Sequence, residues 1–162
     1  MHWLPAYVGL GSNLSDPPAR VHAACKALAG LHGTRLVLQS GLWGSAPFGP
    51  VEQPDFCNAV VALLTQLEPA ALLAQLRALE AHLGREPPRE RWGPRVIDLD
   101  LLAVGARRES TAELTLPHPG VAERAFVLFP WRELAPTFEV PGLGSVAVLA
   151  ARLPAGSAWR LP

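Results

Sequence analysis

Arg95-Val96-Ile97-Asp98-Leu99-Asp100-Leu101-Leu102 is the stretch on which the fold turns. Its aliphatic run, continuing to Val104, predicts the strongest strand of the chain over 96–104. Successive side chains of a strand alternate, so Asp98 and Asp100 share a face. Two carboxylates among aliphatic neighbours repel each other and lose hydration, which is costly unless a cation or a basic partner offsets it. A hard divalent ion answers that need, because Mg²⁺ takes a few carboxylates, keeps waters and binds substrate phosphates. A strand end whose aspartates pair with Arg95 or Arg91 has the same pattern.

Upstream, Pro69 opens a helix whose Leu72, Leu73, Leu76, Leu79 and Leu83 recur at helical spacing, and Gly84 ends it. Residues 6–10 form a short apolar strand closed by Gly11-Ser12-Asn13. Ser15 or Asp16 followed by Pro17 and Pro18 starts a helix that runs to about residue 31. Residues 36–43 and 56–67 are strand candidates. The Gly- and Pro-rich stretch 44–54 between them is a loop long enough to cover a site. Residues 126–134 and 146–153 read as short helices or turns. Two strand–helix–strand units emerge. They predict an α+β architecture, a ferredoxin-like sheet with helices packed on its faces, the crossover helices together on one of them. The 162 residues suit a single compact domain spanning 1–162.

Composition narrows the function. Hydrophobic residues make up 49% and charged residues 17% of the chain. No apolar run approaches the roughly 18 to 20 residues of a membrane span. Residues 1–5 lack the basic and apolar regions of a secretory signal, so the expectation is a soluble, cytoplasmic protein. Cys25 and Cys57 lie in apolar stretches without metal-site spacing and read as buried thiols. A net charge of zero removes the broad electrostatic case for nucleic acid or an anionic membrane as partner. Arg77, Arg85, Arg89, Arg91 and Arg95 nevertheless gather near the aspartates. Guanidinium forks bind phosphate oxygens, so the cluster suggests a polyphosphate ligand; a solvated loop balanced by Glu86 and Glu90 is the alternative.

Three further features carry less alone. Gly9-Leu10-Gly11-Ser12-Asn13 lacks the third glycine of a dinucleotide fingerprint and a Walker lysine, so a tight turn suits it better. Phe56 and Asn58, two apart in a strand, would offer an aromatic face and an amide to one planar ligand, or be a core Phe beside a turn-forming Asn. His118, between Pro117 and Pro119, would donate to phosphate or be a plain loop histidine.

Taken in order, four segments are similar to one family. They are Tyr7-Val8-Gly9-Leu10-Gly11-Ser12-Asn13-Leu14, Pro47-Phe48-Gly49-Pro50 with Gln53-Pro54-Asp55-Phe56-Cys57-Asn58-Ala59, Arg91-Trp92-Gly93-Pro94-Arg95-Val96-Ile97-Asp98-Leu99-Asp100-Leu101, and Pro117-His118-Pro119. Together they resemble the hydroxymethyldihydropterin pyrophosphokinases along nearly the whole chain, the third segment most specifically. The resemblance implies an Mg²⁺-dependent enzyme of tetrahydrofolate biosynthesis that moves pyrophosphate from ATP to 6-hydroxymethyl-7,8-dihydropterin, and a monomer. Asp98 and Asp100 would hold two Mg²⁺ ions, with Arg95 completing the catalytic set. Phe56 and Phe126 would sandwich the pterin, Asn58 and the backbone of Ser45 and Phe48 would read its edge, and Trp92 would help close the pocket. Glu80, Arg85, Arg95, Leu101, His118 and Arg124 would surround ATP, with Glu80 at the ribose or adenine edge or orienting an arginine.

One stretch departs from that pattern. Glu86-Pro87-Pro88 stands where the family often carries further basic residues on a mobile loop, and two prolines stiffen it. Arg89 would replace the missing charge from a shifted position, or the loop would contribute less. Two rival readings share these features: a sugar-nucleotide type of metal-dependent transferase, which the chain is short for, and a non-catalytic ATP- or pterin-binding module.

Overall fold

The computed structural model describes residues 2–84 and 94–162. The expectations for Arg85, Arg89, Arg91 and Trp92 fall outside them.

Strand β1 (Leu4–Ser12) is the centre of the main sheet. It runs antiparallel to β4 (Phe56–Thr65) on one side and β5 (Asp98–Val104) on the other. The far edge of β4 is shared by β2 (Thr34–Gln39), opposite 61–65, and β3 (Trp43–Ser45), opposite 56–58. Helix α1 (Pro17–Leu28) joins β1 to β2 across β4, and α2 (Pro69–His82) joins β4 to β5 across β1. These are the two split crossovers of a ferredoxin-like α+β sheet, as expected. Both helices begin with proline at a position whose N–H has no helical partner anyway. Gly84, at φ +95°, follows the end of α2, a left-handed backbone that a residue with a β-carbon adopts only with strain.

Alternation along the strands divides the core in two. Ala6, Val8, Leu10, Ala59, Val61, Leu63, Leu99 and Leu101 pack under α1 and α2 with Val21, Leu28, Leu72 and Leu76. Tyr7, Val60, Ala62 and Leu102 face the other way, against α3 (Ala125–Leu134) and α4 (Val146–Ala151). The crossover helices thus share one face, and the two C-terminal segments are true helices on the opposite face. Two-residue ribbons complete the chain: β6 (Glu109–Ser110) with β7 (Thr115–Leu116), and β8 (Glu139–Val140) with β9 (Gly144–Ser145). Strand β10 (Trp159–Arg160) adds to the outer edge of β3. Glu133 of α3 ties this edge together, accepting from Gly41 N and Trp43 Nε1 and pairing with Arg160.

Several boundaries differ from expectation. The strand predicted over 36–43 is two strands, because Ser40 donates its N–H to Val60 O and accepts Val60 N–H on its hydroxyl, which turns the chain there. Helix α1 stops at Leu28, where Gly30 and Leu31 close tighter turns, and β5 begins at Asp98. Among the described residues no helix is long and apolar enough to cross a membrane.

Candidate active site

The α3-facing side of the sheet is filled by side chains at one end and open at the other. In the open half, Gly11 lies opposite both Asn58 on β4 and Asp98 on β5, and Gly9 lies opposite Asp100. The two glycines leave the floor bare between the aspartates and the amide. A β-carbon at Gly11 would stand 3.3 Å from Asn58 Oδ1 and 3.8 Å from Phe56. Above this floor is a cavity of about 190 Å³ whose walls bring together Ser45, Phe48, Phe56, Asn58, Arg95, Asp98, Asp100, Arg124 and Phe126. Nine of the residues singled out in the sequence therefore meet in one place.

One side of the cavity suits a flat heterocycle. The Phe48 and Phe126 rings are 5.7 Å apart, centre to centre, and Phe48 is 52% exposed, so its ring, not only its backbone, stands at the mouth. Phe56, at the end of β4, supplies a second aromatic wall. Asn58 is buried and gives both amide hydrogens to Trp43 O (3.1 Å) and Ser45 Oγ (2.9 Å), which leaves Oδ1 to accept from a ligand.

The other side is charged. Arg95 Nε lies 3.6 Å from Asp98 Oδ2, so Asp98 has a cationic neighbour while its carboxylate still lines the cavity. Asp100 also lines a second cavity of about 200 Å³, with Arg77, Leu101, Thr115 and His118. It is the wall the two cavities share. His118 Nδ1 accepts from Gly120 N–H at 3.2 Å, so the proton of the neutral ring sits on Nε2. Burial lowers the pKa of His118; the Asp100 carboxylate opposes this, and the Arg124 and Arg77 guanidinium groups push it down further. The ring is thereby held neutral as a hydrogen-bond donor. Cys25 and Cys57 are buried thiols, as expected, and burial pushes both up to about 11, so neither is a nucleophile near neutral pH.

Among the described residues no group of three or more His, Cys, Asp and Glu side chains converges as a complete protein cage for a metal. The pair Asp98 and Asp100 fits a different kind of site. Two carboxylates on one strand face, aimed into a cavity with room for water and phosphate oxygens, are a donor set that Mg²⁺ accepts.

Two buried polar residues organise the site from behind. Asn13, 2% exposed, was readable only as part of a tight turn. Its amide donates to Gln53 Oε1 and Pro54 O, both at 2.9 Å, and accepts Arg95 N–H at 2.8 Å. It thus fixes the loop after β3 and the approach to β5 at once. Its one sequence signal is its place at the end of β1, two residues beyond Gly11. Glu80, also 2% exposed, lines neither cavity; its carboxylate accepts Leu99 N–H at 2.8 Å and pairs with Arg77. Leu101 lines the second cavity, whereas Arg85 and Trp92 lie outside the described residues.

Residues 7–136 match the family of 7,8-dihydro-6-hydroxymethylpterin-pyrophosphokinase (HPPK). The 2-amino-4-hydroxy-6-hydroxymethyldihydropteridine pyrophosphokinase of Pseudomonas aeruginosa is 44% identical over 156 residues, covering 96% of each chain. That of Haemophilus influenzae is 42% identical over 138 residues, covering 85% of this chain and 86% of its own. Among solved structures, the wild-type HPPK-DHPS of Plasmodium falciparum with STZ-DHP superposes with a TM-score of 0.72 over 93% of this chain, at 12% identity, a likeness of fold alone. The chain spans 43% of that longer protein. Since the family match runs over residues 7–136, which include the described segments that line both cavities, and the bacterial relatives align over most of their own length, this chain belongs to the 7,8-dihydro-6-hydroxymethylpterin-pyrophosphokinase family.

Proposed function

We propose that this chain transfers a pyrophosphoryl group from ATP to 6-hydroxymethyl-7,8-dihydropterin, giving AMP and the pterin diphosphate for tetrahydrofolate biosynthesis. The observation that carries this reading is Asp100, which lines both an aromatic cavity and a polar one. A reaction joining two substrates needs its reacting atoms within about 3.5 Å of each other, and a shared wall is where the occupants of two cavities meet.

The pterin would lie between Phe56 and Phe126 with its polar edge on Asn58 Oδ1 and the backbone of Ser45 and Phe48. Its hydroxymethyl oxygen would then point to Asp98 and Asp100. ATP would occupy the second cavity. Leu101 lines that cavity, and its backbone would meet the adenine edge. His118 Nε2–H, Arg124 and Arg95 would donate to the phosphates, and Arg85 and Trp92 would add to the phosphate and pterin sites. The hydroxyl oxygen forms a bond to the β-phosphorus as the bond from that phosphorus to the α,β-bridging oxygen breaks; AMP leaves with that oxygen, and the hydroxyl proton passes to water. Two Mg²⁺ ions held by Asp98 and Asp100 would supply neutralisation of phosphate charge and polarisation of the hydroxyl. The protein's own share is orientation and preorganised positive charge, and no covalent enzyme intermediate is needed. On this reading the chain acts as a single-domain cytoplasmic monomer with small-molecule substrates.

Incubation of the purified chain with ATP, Mg²⁺ and 6-hydroxymethyl-7,8-dihydropterin, with separation of the nucleotides, tests it. Pterin-dependent AMP is expected, and it should vanish without Mg²⁺. Release of ADP would mean another phosphoryl transfer. Binding of ATP and pterin without turnover would mean a binding module.

A further inference from the structure

Among the described residues strand β5 pairs with β1 along one side only, so the peptide groups on its outer side need other partners. At Leu99 both come from one ion pair on α2. Leu99 N–H donates to Glu80 Oε2 at 2.8 Å, and Leu99 O accepts from Arg77 Nη1 at 3.0 Å. Glu80 and Arg77 are bonded to each other as well. The acceptor and donor so joined imitate the C=O and N–H of a neighbouring strand residue. Leu99 is the residue between Asp98 and Asp100, and its own side chain is fully buried on the opposite face. Its backbone orientation therefore sets where both carboxylates point.

Burying a carboxylate on α2 for sheet pairing alone is a costly choice, since an apolar residue there would extend the Leu72 and Leu76 stripe that packs the same core. The ion pair accomplishes something an apolar residue cannot: it holds a strand segment whose two like charges repel. We propose that Glu80 and Arg77 are positioning residues, a clamp on the Leu99 peptide that holds Asp98 and Asp100 at the spacing required for divalent-ion binding. This rests on the reading of Asp98 and Asp100 as the metal-holding pair. Arg77 also lines the second cavity beside Asp100, so the clamp stands between the nucleotide cavity and the carboxylates it orients.

The test uses the full chain with Mn²⁺ as probe, in the presence of a non-hydrolysable ATP analogue, and reads free Mn²⁺ by electron paramagnetic resonance. Asp98→Asn should lose most Mn²⁺ binding. If the wild-type chain takes up no Mn²⁺, or Asp98→Asn binds as well as wild type, both the metal reading and the clamp fail. With that control in hand, Glu80→Gln and Arg77→Met should each weaken Mn²⁺ binding about 10-fold, the scale seen when a partner that orients a ligand is removed. Arg77→Lys should recover part of the loss. Pterin affinity, measured by fluorescence, should stay within about 2-fold in all three. Amide exchange at Leu99 should accelerate at least about 10-fold in Arg77→Met, which keeps the experiment decisive if Glu80→Gln does not fold. Mn²⁺ affinity equal to wild type despite faster Leu99 exchange would overturn the clamp as a positioning device while leaving the metal reading intact. Unchanged Leu99 exchange would overturn the clamp itself.

Discussion

The two faces of the main sheet are made by the same strands and do opposite things. Toward α1 and α2, Leu10, Ala59, Leu99 and Leu101 are buried against leucines. One residue away along each strand, Gly11, Asn58, Asp98 and Asp100 form the floor of a cavity. Apolar burial on the first face is what lets the second carry two like charges and a bare backbone, because the strands would not stay in place by the cavity side alone. Stability and chemistry are thus separated by a single step of side-chain alternation.

That separation has measurable consequences, and the largest concerns the aspartates. Asp98→Asn or Asp100→Asn should cost about 10³-fold in the rate of AMP formation, about 4 kcal/mol of transition-state stabilisation at about 1.4 kcal/mol per decade. The thermal midpoint should stay equal or rise, since like-charge repulsion is relieved. A fall in midpoint matching the loss of activity would mean that the aspartates hold the fold rather than the chemistry. Next, Leu72→Ala on the face toward α1 and α2 should lower unfolding stability by about 3 kcal/mol, read by urea titration, while kcat of the remaining folded protein is unchanged. A selective loss of kcat would show the two faces to be coupled. The smallest effect belongs to Gly11→Ala. A β-carbon 3.3 Å from Asn58 Oδ1 should weaken pterin binding about 10-fold, roughly 1.4 kcal/mol, with ATP affinity unaltered. Equal weakening of both ligands would place the pterin elsewhere.

Much of this contrast was legible in the sequence where a period could repeat. The aliphatic run around Asp98 and Asp100 and the leucine stripe of α2 gave their elements and the face of the carboxylates. The break at Ser40 and β10 were illegible, because they are set by partners far away in the chain, Val60 for Ser40 and Gly44 for Trp159, whereas the two-residue ribbons pair locally but are too short to show a period. The same reason hid the work of Asn13 and Glu80. A buried polar residue shows its purpose only through what it bonds, and Gln53, Pro54, Arg95 and Leu99 are not its sequence neighbours. Phe48 exposed a smaller gap: its backbone was expected at the pterin edge, whereas its ring also meets Phe126 across the mouth.

The three bonds of the Asn13 side chain bridge 40, 41 and 82 positions along the chain. These bonds continue the β1–β4 and β1–β5 pairings beyond Ser12, so they close only after the sheet has brought the segments near. A partly folded chain would accordingly have a formed β1–β4 pairing and a closed leucine core yet no ordered cavity mouth. During biosynthesis in the cell, such a chain would already be compact and still lack an ordered place for its substrates.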